Sequence, residues 1–481
     1  MPRGHSMHVR YPSGGENRRG GYAQKGPTFT TPRAYNVRSV GPLEKRGRGG
    51  SRPPLAKYVD NDFGTNITGM ASVTYLDNSG NRQHDLAVIA DGYLSIVRGA
   101  SVTTTTAYLT TDAGDKITDS SGNYLTFQST VASVNPLTNS NAFQMVEWGG
   151  KLYIADSTLR VYNPLTGAVS PITAAPANQP LICVYQERVV LAGADHMFYQ
   201  CGQTEPANWD AGADMGDEGR SIMGFVGDSG VMGEKILAMH PHHDRALVFG
   251  CQDSVWAVYG NMAGNDGQKK NVSPHAGILA PKAMSVTPNG LVIFLSRSGL
   301  YTWQVGSNAH PEPFSSVVIP EELLDVDTDT TEVLMQYDHR SRGVHLFLTP
   351  DSGVGTHWWI DIENKAIWPV KIQATMQPLA TAKLLVGGFS NIILGCKDGY
   401  LRRFDDSAAD DDGGPLYSHI LLGPLHIGRE EGSDGLLTEM MAAMAEGSGD
   451  VKIRIITGDT AEAAVDAADA ALALVIDSQY A

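Results

Sequence analysis

The chain has 481 residues, 42% of them hydrophobic, only 18% charged, and 53 glycine. It is long enough for a large core and poor in the Glu, Lys and Arg that fill long helices. No stretch reaches the roughly 18 to 20 apolar residues of a membrane-spanning helix, and the N-terminus lacks the apolar segment of a secretory signal.

The net charge of −16 conceals a division. Residues 1–57 carry twelve Lys/Arg against two acids, a balance of +10, while residues 58–481 carry 24 basic and 50 acidic residues, or −26. A basic arm on an acidic body predicts electrostatic docking between subunits. It argues against the body gripping nucleic acid, because phosphate binding depends on positive charge.

In chain order, residues 1–57 read as an arm rich in Gly, Pro and Arg, with no apolar period. Such a segment cannot bury enough surface to order itself alone. It is expected either to be a flexible tail or to order against a neighbour, with Arg38, Lys45, Arg46, Arg48 and Arg52 as its docking contacts.

The body, 58–405, repeats one unit: an apolar strand, a polar or glycine-bearing turn, and a second strand with an aromatic. The instances are DLAVIADGYLSIV (85–97), KLYIADSTLRVYNP (151–164), RVVLAGADHMFYQC (188–201), ALVFGCQDSVWAVYG (246–260), GLVIFLSRSGLYTWQV (290–305), VHLFLTPDSGVGTHWWIDI (344–362) and NIILGCKDGYLRRF (391–404). Their starts average 51 residues apart, ranging from 37 to 66. A period near 50 in β-rich sequence predicts an all-β fold, a β-propeller whose four-stranded blades take roughly 40 to 50 residues each. The count favours seven blades, with six as the alternative. Tyr93, Tyr162, Tyr199, Trp256, Trp303, Trp358 and Phe404 are expected to pack between neighbouring sheets.

Residues 406–481 are read as an acidic linker followed by a small β-rich platform. Strands are expected at 419–428 and 450–458, a helix-capable stretch at 436–447, and an alanine-rich helix at 460–475 capped by Asp459 or Thr460.

Motifs of chemistry are weak. Gly227-Asp228-Ser229-Gly230 echoes a protease nucleophile loop but sits in a Gly/Asp-rich loop without an identifiable base and orienting partner. His240-Pro241-His242-His243-Asp244 reads as a turn between strands rather than a metal site. Asp325, Asp327 and Asp329 open like a calcium loop, but Thr330 and Gln336 replace the expected Gly and Glu. Cys183, Cys201, Cys251 and Cys396 each lie in or beside a strand-like run and read as buried free thiols. No cofactor and no enzymatic activity are expected.

Three phrases carry a family resemblance: YNVRSVGPLEKRGRGGSRPPLAKY (35–58), RVVLAG…FYQCGQTEPANWD (188–210) and ILAMHPHHDRALVFGCQDSVWAVYGN (236–261). On these the chain resembles the tail nozzle or hub proteins of short-tailed bacteriophages. The resemblance implies a virion protein assembled in the host cytoplasm. It implies a hexameric ring below the portal and adaptor, in contact with tail fibre or needle proteins, around a channel through which genomic DNA passes without specific binding.

Under that reading Asp405, Asp406, Asp410, Asp411 and Asp412, and secondly Asp325, Asp327 and Asp329, are candidate channel-wall acids that repel the duplex; the plainer alternative is solvated outer loops. A receptor- or carbohydrate-binding propeller of a tail fibre is the main alternative function, and a propeller hydrolase a third.

Overall fold

The computed structural model describes residue 9 and residues 11–17, 30–40, 48–90, 92–98, 144–209, 234–261, 267–314, 321–386, 389–423 and 451–480, with short stretches within 101–133, 220–222 and 425–441. Seven antiparallel sheets follow one another and form a seven-bladed β-propeller.

The first blade runs outward from Ile67–Leu76 through Arg82–Ala90 to Tyr93–Arg98. The next five are regular four-stranded meanders beginning at Met145–Trp148, Leu181–Tyr185, Ile236–His242, Met284–Val286 and Thr331–Asp338. The seventh uses Pro378–Val386, Phe389–Cys396 and Leu401–Phe404, and takes its fourth strand, Leu55–Lys57, from the N-terminal arm. The innermost strands touch in cyclic order, and Pro378–Val386 lies against Ile67–Leu76 to close the ring.

The seven units recognised in the sequence are the middle hairpins of the seven blades, such as Lys151–Ile154 with Arg160–Asn163 and Ala246–Cys251 with Val255–Tyr259. These strands are flanked on both faces by neighbouring blades, so their sequences are densely apolar.

Each core cluster lies between blades. Leu152, Ile154 and Tyr162 of the second meet Val73, Ile89 and Ile96 of the first. Ile67, Leu86 and Val88 of the first meet Ala382, Leu384 and Ile393 of the seventh. Close approach is permitted by Gly250 and Gly395, where an added Cβ would fall 2.5 Å from Ile278 and from Ile67, respectively.

Of the seven aromatics expected between sheets, Tyr162, Trp256, Trp303 and Trp358 are buried, and Tyr199 and Phe404 partly so. Tyr93 corrects the expectation. It begins the strand Tyr93–Arg98 and is 44% exposed.

The arm is neither a free tail nor ordered only by a neighbour, since much of it packs on its own body. Glu16 N–H and Asn36 N–H donate to Ile367 O and Pro369 O (both 3.1 Å) on the outer strand of the sixth blade. The ring of Tyr11 stacks on Trp368 at 5.7 Å. The propeller therefore begins at Leu55, inside the segment that composition assigned to the arm.

Beyond the propeller, His419–Ile420 pairs with Ala34–Tyr35, and the helix Ala461–Tyr480 follows. As expected, Thr460 caps that helix, its Oγ1 accepting from Ala463 N–H at 3.1 Å. The strand expected at 450–458 is not formed: residues 451–458 pair with no strand among the described residues. The stretch 436–447 lies mostly outside the described residues. Among the described residues no helix is long and apolar enough to cross a membrane.

Candidate functional site: the ring-closing seam

The distinctive site is the seam where the arm crosses the sixth and seventh blades. It begins with a requirement of the backbone. A three-residue outer strand taken from the far end of the sequence leaves its outward N–H and C=O groups unpaired unless something covers them.

The acidic loop after Phe404 covers them. Leu55 N–H donates to Asp411 Oδ1 at 2.8 Å, and Leu55 O accepts from Asp412 N–H at 2.8 Å. Pro54 O accepts from Asp405 N–H at 2.9 Å.

Arg52, 2% exposed, lies beneath this loop. Its guanidinium donates to both carboxylate oxygens of Asp411, with Nη1 to Oδ1 at 3.0 Å. It also donates to Asn36 Oδ1 (3.1 Å), Pro53 O (2.9 Å) and Lys371 O (3.0 Å). All five guanidinium N–H groups thus have acceptors, which is what allows a full charge to be buried there. Nearby, Arg402 bridges Asp398 and Asp412 at 2.7 and 2.8 Å.

A small cavity opens beside this latch, lined in part by Arg38, Asp338, Arg340, His345, Asn391 and Asp406. Arg38 lies 4.8 Å above the Trp359 ring. Burial lowers its pKa to about 10, against the pull of Asp338 and Asp406. Burial likewise pushes the His345 imidazole down, against the pull of Asp338, and the ring is stacked between Phe347 and Phe404. Burial works to raise Asp338, but the neighbouring His345 side chain, together with hydrogen bonds from Ser341 and from Arg340 N–H at 2.8 Å, holds it well below the ordinary carboxylate range. Two cations, Arg38 and Arg340, and two carboxylates, Asp338 and Asp406, line the cavity, so it presents no net charge of one sign.

These contacts reassign several candidates. Asp411 is 1% exposed and Asp412 is tied to Arg402, so both are structural acids of the seventh blade's outer edge. Neither projects as a wall residue. Arg52 is a fixed internal partner, and Arg38 packs on its own subunit; this corrects their assignment as contacts for a neighbour.

Asp405 pairs with Arg403 at 2.8 Å, and its carboxyl is held low by hydrogen bonds from Ser407. Asp406 pairs with Arg340 at 2.8 Å on the surface. Asp410 is exposed and accepts from Gly413 N–H at 2.9 Å.

Asp325, Asp327 and Asp329 are exposed in the loop between the fifth and sixth blades, where Asp327 caps Asp329 N–H at 3.0 Å. Arg48 is exposed, whereas Lys45 and Arg46 lie outside the described residues, as does Gly227-Asp228-Ser229-Gly230.

His243 and Asp244 form the turn between Ile236–His242 and Ala246–Cys251, and burial lowers His240 to about 4. All four cysteines are buried free thiols.

Sequence reasoning missed the latch. Its only local signal was Arg52 followed by Pro53-Pro54, and its partner lies 359 residues away.

The fold and seam define the class: a seven-bladed β-propeller whose ring is closed by an N-terminal strand. No protein-family model matches the chain, and no curated protein matches it in sequence. Among solved structures, the extracellular domain of a putative hybrid two-component system from B. thetaiotaomicron is similar over 74% of this chain, with 10% identity and a TM-score of 0.45. The match spans 42% of that longer chain. A chain of the mitotic checkpoint complex is similar over 74% of this chain and 96% of its own, with 10% identity and a TM-score of 0.42. The N-terminal domain of Nup159 covers 73% and 95%, with 9% identity and a TM-score of 0.41.

Proposed function

We propose that this chain is a structural virion protein, a ring-forming tail nozzle or hub subunit that continues the DNA channel below the portal and adaptor. The observation that carries the reading is the division of charge, +10 on residues 1–57 against −26 on the remainder. An acidic ring lets DNA slide, because a wall that bound phosphates would retain the genome. Asp325, Asp327, Asp329, Asp406 and Asp410 are the exposed carboxylates that fit the wall role. The phrases that resemble phage nozzle and hub proteins point the same way.

A glycan-binding propeller would need exposed aromatic rings grouped on one rim. Among the described residues the exposed aromatics are Tyr93 and Tyr417, which gives that alternative little support.

Native mass spectrometry and negative-stain imaging of the full chain, alone and mixed with phage portal and adaptor rings, test the proposal. Six-fold rings, or recruitment onto the adaptor ring, are expected. A compact monomer that ignores those rings would overturn it.

A further inference from the structure

The cavity beside the latch gathers polar groups that the latch leaves unmatched. It measures about 40 Å³ and is walled by Arg38 of the arm, by Asp338, Arg340 and His345 of the sixth blade, and by Asn391 and Asp406 of the seventh. Three of its four charges are engaged within the protein. Arg340 pairs with Asp406 at 2.8 Å, and Asp338 accepts from Arg340 N–H at 2.8 Å.

Arg38 is the exception. Among the described residues its guanidinium makes no ion pair and no hydrogen bond; it lies 4.8 Å above the ring of Trp359. Arg52, on the same arm, finds acceptors for all five of its N–H groups. A guanidinium drawn partly out of water with its donors unmatched carries a desolvation cost that an acceptor can offset.

His345 is the second unsatisfied group. It is 3% exposed and clamped between Phe347 and Phe404, and its Nε2 has no hydrogen-bond partner, standing 3.9 Å from Asp338 Oδ2.

We propose, independently of the ring reading, that this cavity binds a carboxylate group, whose two oxygens accept from the Arg38 guanidinium beside His345. The planar fork of an arginine matches a carboxylate in bidentate fashion. Size agrees: a water occupies roughly 10–15 Å³ on the same measure, so 40 Å³ suits the three heavy atoms of a carboxylate rather than a whole phosphorylated metabolite. Asp338 and Asp406 on the walls penalise a dianion more than a monoanion. Because Arg38 belongs to the arm and the other walls to the blades, an occupied site ties the arm to the body.

Thermal unfolding of the full chain in acetate, against chloride and phosphate at matched ionic strength and pH 7, tests the proposal. Acetate should raise the melting temperature saturably, with half-saturation on the order of 1 mM for so small a ligand. Chloride should have no such effect and phosphate a smaller one. Proteolysis within residues 34–57 should slow in parallel. Arg38→Gln should abolish the acetate effect, and Arg38→Lys, which keeps the charge and loses the fork, should weaken it at least about tenfold. In chloride alone Arg38→Gln should melt no lower than the unaltered protein, because it removes an unmatched charge.

An acetate effect that survives in Arg38→Gln, or none in the unaltered protein up to about 100 mM, a hundredfold above the expected value, would overturn the site. So would an Arg38→Gln protein that melts lower in chloride alone, since Arg38 would then serve the fold only. A larger rise in phosphate would overturn the choice of a carboxylate. The same group can come from a small free acid or from an acidic side chain of another chain. Acetate that disperses assemblies of the full chain assigns it to another chain, and assembly unchanged by acetate assigns it to a free acid.

Discussion

Replacing Asp411 by Ala removes the carboxylate that neutralises Arg52 at a site where the two side chains are 2 and 1% exposed. Two guanidinium N–H groups lose their acceptors, and so does Leu55 N–H. Stranding one member of a buried ion pair costs about 3–5 kcal/mol, and an orphaned buried N–H on the order of 1–3 kcal/mol. The two overlap, so a loss of about 3–5 kcal/mol is expected for the whole substitution.

The surface pair Arg340–Asp406, 63 and 60% exposed, supplies an internal control. Asp406→Ala should cost about 0–1 kcal/mol. Urea unfolding followed by tryptophan fluorescence reads both variants, with Trp358, Trp359 and Trp368 reporting from the sixth blade next to the arm. Because loss of the latch exposes an unpaired closing strand, Asp411→Ala should also speed proteolysis within residues 48–57. A midpoint for Asp411→Ala no lower than that for Asp406→Ala would refute the reasoning.

Two further outcomes follow from the same structure. His357 is fully buried, its Nδ1 accepts from Leu348 N–H at 3.2 Å, and burial lowers it to about 3. The unfolded chain, with an ordinary value near 6.5, binds the proton first, so stability falls as pH drops from about 6.5 towards 3, by on the order of 4 kcal/mol. His357→Asn should flatten that acid limb in denaturation curves measured at stepped pH, and an unchanged limb would count against a neutral buried imidazole. Deleting residues 1–57 removes the closing strand together with Arg52. The truncated chain should therefore melt lower as well as fail to assemble, and an unchanged melting temperature would contradict strand closure.

The middle hairpin of every blade was legible in sequence because those strands are buried on both faces and must be apolar throughout their length. Inner and outer strands were less legible. Ala168–Pro171, for example, is an edge whose composition is not distinctive. Arg38 and Arg52 looked like surface charges because basic residues in a Gly/Pro-rich segment usually are. Asp411 looked like its neighbours in a run of aspartates, although it alone of Asp410, Asp411 and Asp412 is buried.

The sequence by itself determined the repeating β unit and the separation of basic arm from acidic remainder, because periodicity and charge are local sums over residues; it favoured seven blades over six, and the structure decided the count. Only the tertiary structure decided that Leu55–Lys57 completes the last blade and that Asp411 holds Arg52. Ring closure brings together residues some 350 positions apart, and whether a backbone edge is paired depends on what lies beside it in space.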